Sequence, residues 1–137
     1  MKAVALTTLF VAASAVAQPR ATTPVEGYWK NPIGSAIIAI APCGKEFCGK
    51  VVWASARGQR EVSKNSPSIV GTTVLTDVRY RNGRWSGSLF IPDDNINVSA
   101  HLQPAGTGQM KLTGCAIVGL FCRTQIWTRV DQLPRAG

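Results

Sequence analysis

The chain has one histidine, His101, and only seven carboxylates against fifteen Lys and Arg in 137 residues. Acid–base chemistry therefore has little to draw on. A Ser–His–Asp relay needs His101 as its base. His101 alternates with apolar neighbours on the polar side of a strand pattern, beside Asn97 and Ser99. That is the setting of a surface histidine. The acids form no pair of the glycosidase kind: Asp93 and Asp94 are adjacent, so they point apart if extended and cap the chain if turned.

Metal chemistry is equally short of parts. Four cysteines are present, Cys43, Cys48, Cys115 and Cys122, but no C-x2-C pair that zinc or a thioredoxin-like site requires. Asp93-x-Asn95-x-Asn97 offers the first three oxygens of a calcium loop. Val98 stands where that loop needs glycine and Pro104 where it needs glutamate. No catalytic residue, metal or cofactor is expected. Nor is there a run of five like charges; Arg79, Arg81 and Arg84 crowd one turn, without the interleaved aromatics that specific nucleic-acid binding uses.

Beyond residue 17 no apolar run approaches the roughly 20 residues of a membrane span. The N-terminal run is shorter: Met1-Lys2, then small and apolar residues to Val16, ending in the small-x-small pattern Ala15-Val16-Ala17. This is the pattern of a cleaved secretory leader over residues 1–17. A free N-terminal segment (18–25), one domain (26–131) and a short tail (132–137) should follow. The product should be exported, periplasmic or extracellular, and not membrane-spanning. The even cysteine count fits an oxidising compartment. Of three possible pairings, Cys43–Cys48 and Cys115–Cys122, each closing a short loop, are preferred; a cross-barrel pair such as Cys48–Cys115 is the alternative. Oligomeric state is left open.

What the chain does have is strands. Residues 95–103 alternate Ile96, Val98, Ala100 and Leu102 with polar residues, a half-buried strand. Residues 70–80 read alike, with Thr72, Val74, Thr76, Val78 and Tyr80 on one side. Asn82-Gly83 is a type I′ hairpin signal. Pro92-Asp93-Asp94 and residues 104–108 mark further turns, and strands are expected at 85–91, 109–115 and 121–130. Residues 35–41 and 49–54 flank the first cysteine pair. With residues 27–30 the count reaches eight, and no helical period is evident. The polar, patternless stretch 55–68 is the expected mouth loop.

Gly27-x-Trp29 on the first strand and Arg129 on the last sit where lipocalins and other calycins carry the pair that closes their barrel. A longer ordered set follows: Cys43-Gly44, Phe47-Cys48-Gly49-Lys50-Val51-Val52-Trp53, Trp85-Ser86-Gly87, Phe90-Ile91-Pro92-Asp93-Asp94, Gly114-Cys115 and residues 124–130. In this the chain resembles a family of small exported bacterial proteins classed as a domain of unknown function. It departs from the family pattern at Asn65-Ser66-Pro67, often N-P-D, and at Asp94-Asn95, often D-G. The resemblance implies an all-β, eight-stranded antiparallel up-and-down barrel of calycin type in the bacterial envelope, and names no reaction. Gly27, Trp29, Trp127 and Arg129 are then closure residues, with Arg129 over or near the Trp29 ring.

The remaining aromatics and strand apolars pack a barrel core or line a pocket. The pocket candidates are Trp53, Trp85, Ile38, Ile40, Val74, Leu89, Ile96 and Val98. The expected function is non-enzymatic binding of a small apolar or amphipathic ligand. The alternative is an interaction module whose basic surface meets an acidic envelope component or protein partner.

Overall fold

The structure is a computed structural model describing residues 3–12, 23–62, 68–117 and 120–135. Eight strands follow one another as β1 (Gly27–Lys30), β2 (Ala36–Cys43), β3 (Glu46–Ala54), β4 (Thr73–Arg81), β5 (Arg84–Ile91), β6 (Ile96–Ala105), β7 (Gln109–Ile117) and β8 (Leu120–Val130). Each pairs antiparallel with the next, and β1 pairs with β8, so the sheet closes as an up-and-down barrel. Closure leaves no free sheet edge.

Local chemistry places the turns. Asn82 and Gly83 both hold positive φ, 54° and 77°, as a type I′ hairpin demands. The β2–β3 turn is tight, because the strands run up to Cys43 and Glu46, beyond the expected ends at 41 and 49. The disulfide Cys43–Cys48 staples that hairpin and Cys115–Cys122 staples β7 to β8.

The simple alternation expected of residues 70–80 fails, for a stated reason. Lys50 faces Thr73 and Gly49 faces Leu75, so Val74 is an extra residue and both Val74 and Leu75 turn inward. Thr76 faces Ser88 and Arg79 faces Ser86, leaving Asp77 and Val78 opposite Gly87 alone. Asp77 absorbs this second bulge at φ 56°. Val78 is fully buried, whereas Thr76 and Tyr80 are exposed. Gly87 is required here, since a Cβ would lie 2.6 Å from the Thr76 carbonyl oxygen.

The segment 55–68 corrects another expectation. It contains a short helix, α1 (Ala56–Val62), with Ser55 as its N-cap: the Gly58 amide donates to Ser55 Oγ at 3.0 Å. Seven residues with only Ala56 and Val62 apolar give no apolar period, so pattern reading misses it. Gly58 lets the helix touch the β1–β2 loop, where a Cβ would collide with the Ser35 carbonyl. Val62 and Ile69 are buried, and the Ile69 amide donates to Gln59 Oε1 at 2.8 Å. The remainder of the expected mouth loop, residues 63–67, lies outside the described residues.

The ordered fold also begins before residue 26. Val25 is completely buried, and its carbonyl accepts from Trp29 Nε1 at 2.9 Å. Residues 3–12 have no regular secondary structure, and Val4, Leu6, Leu9, Phe10 and Val11 are exposed. Residues 18–22 of the expected N-terminal segment lie outside the described residues, as do residues 136–137 of the tail. Among the described residues no helix is long and apolar enough to cross a membrane.

Candidate binding cavity

The two ends of the barrel differ. At one end the interior is filled. Trp29, Leu75, Val78, Leu102 and Met110 are buried to within 1%. Trp85 meets Phe47 edge-on at 5.7 Å and Tyr80 at 5.4 Å. Arg129 lies over the Trp29 ring, 4.3 Å from its centroid, with Arg129 directly opposite Trp29 in the β1–β8 register. Its guanidinium also donates to the Glu26 carbonyl at 2.6 Å, the Pro24 carbonyl at 3.0 Å and the Thr107 carbonyl at 3.3 Å. Arg129 thus ties three segments across the seam, while Trp127, two residues further in, lies across from Met110.

At the other end the interior is hollow. A cavity of about 570 Å³ opens beside α1, the β1–β2 loop and the β5–β6 turn. That volume is in the range of small-molecule sites. Of the residues expected there, Ile38, Val74, Leu89, Ile96 and Val98 do line it. Val51, Leu112 and Trp127 complete its apolar wall and floor.

Three expected wall residues lie elsewhere. Ile40 and Trp85 do not line the cavity: Ile40 is buried at 2% exposure and Trp85 packs on Phe47 and Tyr80. Trp53 is turned outward: Ile38 faces Val51 and Ile37 faces Trp53, so Val52 is a bulge that reverses the strand's faces between Val51 and Trp53. Trp53 accordingly lies opposite Ile37, on the side away from the cavity, where Ile37 is 1% exposed and Trp53 is half-buried.

The polar lining divides into groups already engaged and groups free. Asn31 is spent on the loop: its Oδ1 accepts from the Ser35 and Ala36 amides at 2.8 and 3.1 Å, and its Nδ2 donates to Ser35 Oγ at 2.9 Å. Glu61 pairs with Arg57 at 3.1 Å on α1. Asp93 and Asp94 occupy the rim turn. From β8, Arg123 and Gln125 line the cavity on the same side as Trp127, but unlike Trp127 both are solvent-exposed. Gln125 Oε1 accepts from Trp127 Nε1 at 3.1 Å, which turns the Gln125 amide nitrogen away from that bond.

Arg123, Gln125, Val51 and Leu112 were not anticipated as wall residues, and Trp127 was read only as a closure residue. The signal was present: once Arg129 is inside, a period of two places 127, 125 and 123 inside as well. A basic residue on an exported strand reads as solvent-facing, which hides it.

His101 stands on the outer side of β6, opposite Ser86 and Thr113, and lines a separate surface groove with Tyr80, Arg84 and Lys111. Its Nδ1 is buried and has no hydrogen bond. Among the described residues no three His, Cys, Asp or Glu side chains gather as a metal site.

The chain belongs to the family described as an uncharacterized protein conserved in bacteria (DUF2147), whose model matches residues 27–129, β1 through most of β8. No curated protein and no solved structure matches it.

Proposed function

We propose that this DUF2147 protein is an exported, non-enzymatic carrier that holds a small amphipathic molecule in the hollow end of its barrel. The observation that carries the reading is the asymmetry of the interior. A small eight-stranded barrel has room for little more than its own side chains. Here one half is packed to that limit and the other opens to solvent through a cavity of about 570 Å³ whose apolar lining includes Ile38, Val51, Val74, Leu89, Val98 and Leu112. An apolar hollow of this size next to a well-packed core suits a guest better than it suits stability, since empty apolar volume forfeits contact energy. Export is supported by the leader-like residues 1–17 and by two disulfides, bonds that persist in oxidising compartments.

Trp127 provides the test, because it lines the cavity. Titrating the purified protein with single-chain amphiphiles should shift or quench its tryptophan emission, and Trp127→Phe should remove most of that response. No change with any amphiphile across chain lengths from six to eighteen carbons would refute the reading.

A specific observation favours the basic-surface reading as second. Arg81 and Arg84 face one another beside the β4–β5 turn, both exposed, with Arg79 two residues away. Arg79 is engaged with Glu46 at 3.1 Å, which leaves two forward-facing cations at the closed end. Binding to an acidic polymer that disappears between 50 and 300 mM salt and with Arg81→Ser/Arg84→Ser would support it.

A further inference from the structure

We infer that the cavity's guest carries an anionic head group, carboxylate or phosphate, held by Arg123 and Gln125 with its chain directed towards Trp127. This rests on the carrier reading and adds the chemistry of the ligand.

The interior of β8 runs from the mouth inward as Phe121, Arg123, Gln125 and Trp127, all of which line the cavity. Alternate residues on a strand are spaced by about 6.6–6.8 Å. The guanidinium and the amide therefore stand one above the other on a single wall. Arg123 faces Gly114 on β7, so no side chain from that strand covers it at that level. The space a Gly114 side chain would take is bounded instead by Val98 at 3.2 Å and Leu89 at 3.4 Å. Among the described residues Arg123 has neither an ion pair nor a hydrogen bond. Gln125 Oε1 accepts from Trp127, and its amide nitrogen offers two N–H donors to the cavity. Two donor groups on one wall, one of them permanently charged, call for an oxyanion.

The order of residues sets the guest's direction. Donors lie nearer the mouth and the apolar floor lies beyond them, so the head sits towards solvent and the tail inside. Three carboxylates also line the mouth. Glu61 is neutralised by Arg57, and Asp93 and Asp94 lie on the β5–β6 turn, on strands that do not adjoin β8. As solvent-facing charges they are screened. They slow an anion's entry, and none of them is paired with Arg123.

The test compares dodecanoate, dodecyl phosphate and the uncharged methyl dodecanoate by displacement of a bound fluorescent probe. The wild-type protein should bind one or both anions at least tenfold more tightly than the ester. Arg123→Gln should erase that preference while leaving ester affinity within about twofold, and Arg123→Lys should retain part of it. Preference for dodecanoate identifies a carboxylate head; preference for dodecyl phosphate identifies a phosphate. Unchanged thermal unfolding of Arg123→Gln shows that the variant is folded. Equal binding of anions and ester by the wild type would overturn the anionic head while sparing the carrier. Failure of all three to bind would overturn the carrier reading itself.

Discussion

At the scale of single residues, Arg129 does the work of several. It stacks on Trp29 and reaches carbonyls at Pro24, Glu26 and Thr107. Stacking contributes about 0.5–2 kcal/mol, and charged hydrogen bonds about 1.5–3 kcal/mol each where water is excluded. Two of the three carbonyl contacts are solvent-exposed, which reduces them. Arg129→Gln should therefore cost about 1–3 kcal/mol, read as a lower urea midpoint with an unchanged slope. Arg129→Lys should recover little, because an ammonium cannot fork to two carbonyls while lying flat on an indole. Gly27→Ala should also destabilise, since φ is 126° and a Cβ would collide with Arg129 Nη1. The Trp29–Arg129 meeting was legible from two short motifs at opposite ends of the chain. The three carbonyl partners were not, because backbone acceptors leave no mark in a sequence.

At the scale of elements, strand number and turns were readable, while strand phase was not. Turn residues advertise themselves: Asn82-Gly83 and Asn95 take the positive φ their chemistry permits. Bulges do not. Val52, Val74 and Asp77 each add one residue, and each reverses the faces that follow. Trp53 looked like a wall residue for this reason alone. Trp53→Phe should accordingly leave ligand-induced emission changes intact, whereas Trp127→Phe should remove them; the two variants form a matched pair for one titration. The staples act at the same scale. Cys115 faces Cys122 directly across β7 and β8, and the bridge closes a loop of only seven residues. Chain-entropy reasoning gives such a loop about 2 kcal/mol. Cys115→Ser/Cys122→Ser should lose about that much stability in denaturant melts while keeping the barrel's far-ultraviolet signature.

At the scale of the whole molecule, the barrel is a plug and a cup on one sheet. Closure was legible through the resemblance of Gly27-x-Trp29 and Arg129 to the pair that closes calycin barrels. Whether the interior was full or hollow was not, because that depends on side-chain volume summed over eight strands after every bulge has set its phase. Gly49 and Gly87 illustrate the point. Their missing side chains make room for Leu75 and Val78, so glycines that suggest empty space mark dense packing. The hollow lies instead where Val98, Leu89, Val74 and Ile38 line the cavity. Volume added there should go into the void rather than into neighbours. Val98→Phe is the direct case: overpacking a filled core costs about 1–3 kcal/mol, but a ring entering this cavity should cost less than 1 kcal/mol or raise stability. The same variant should bind amphiphiles at least tenfold more weakly. A ligand at a hundred times its dissociation constant stabilises the folded state by about 2.7 kcal/mol. Saturating amphiphile should thus raise the Tm of the wild type and leave that of Val98→Phe unmoved. If both proteins gain equally, the guest binds outside the cup.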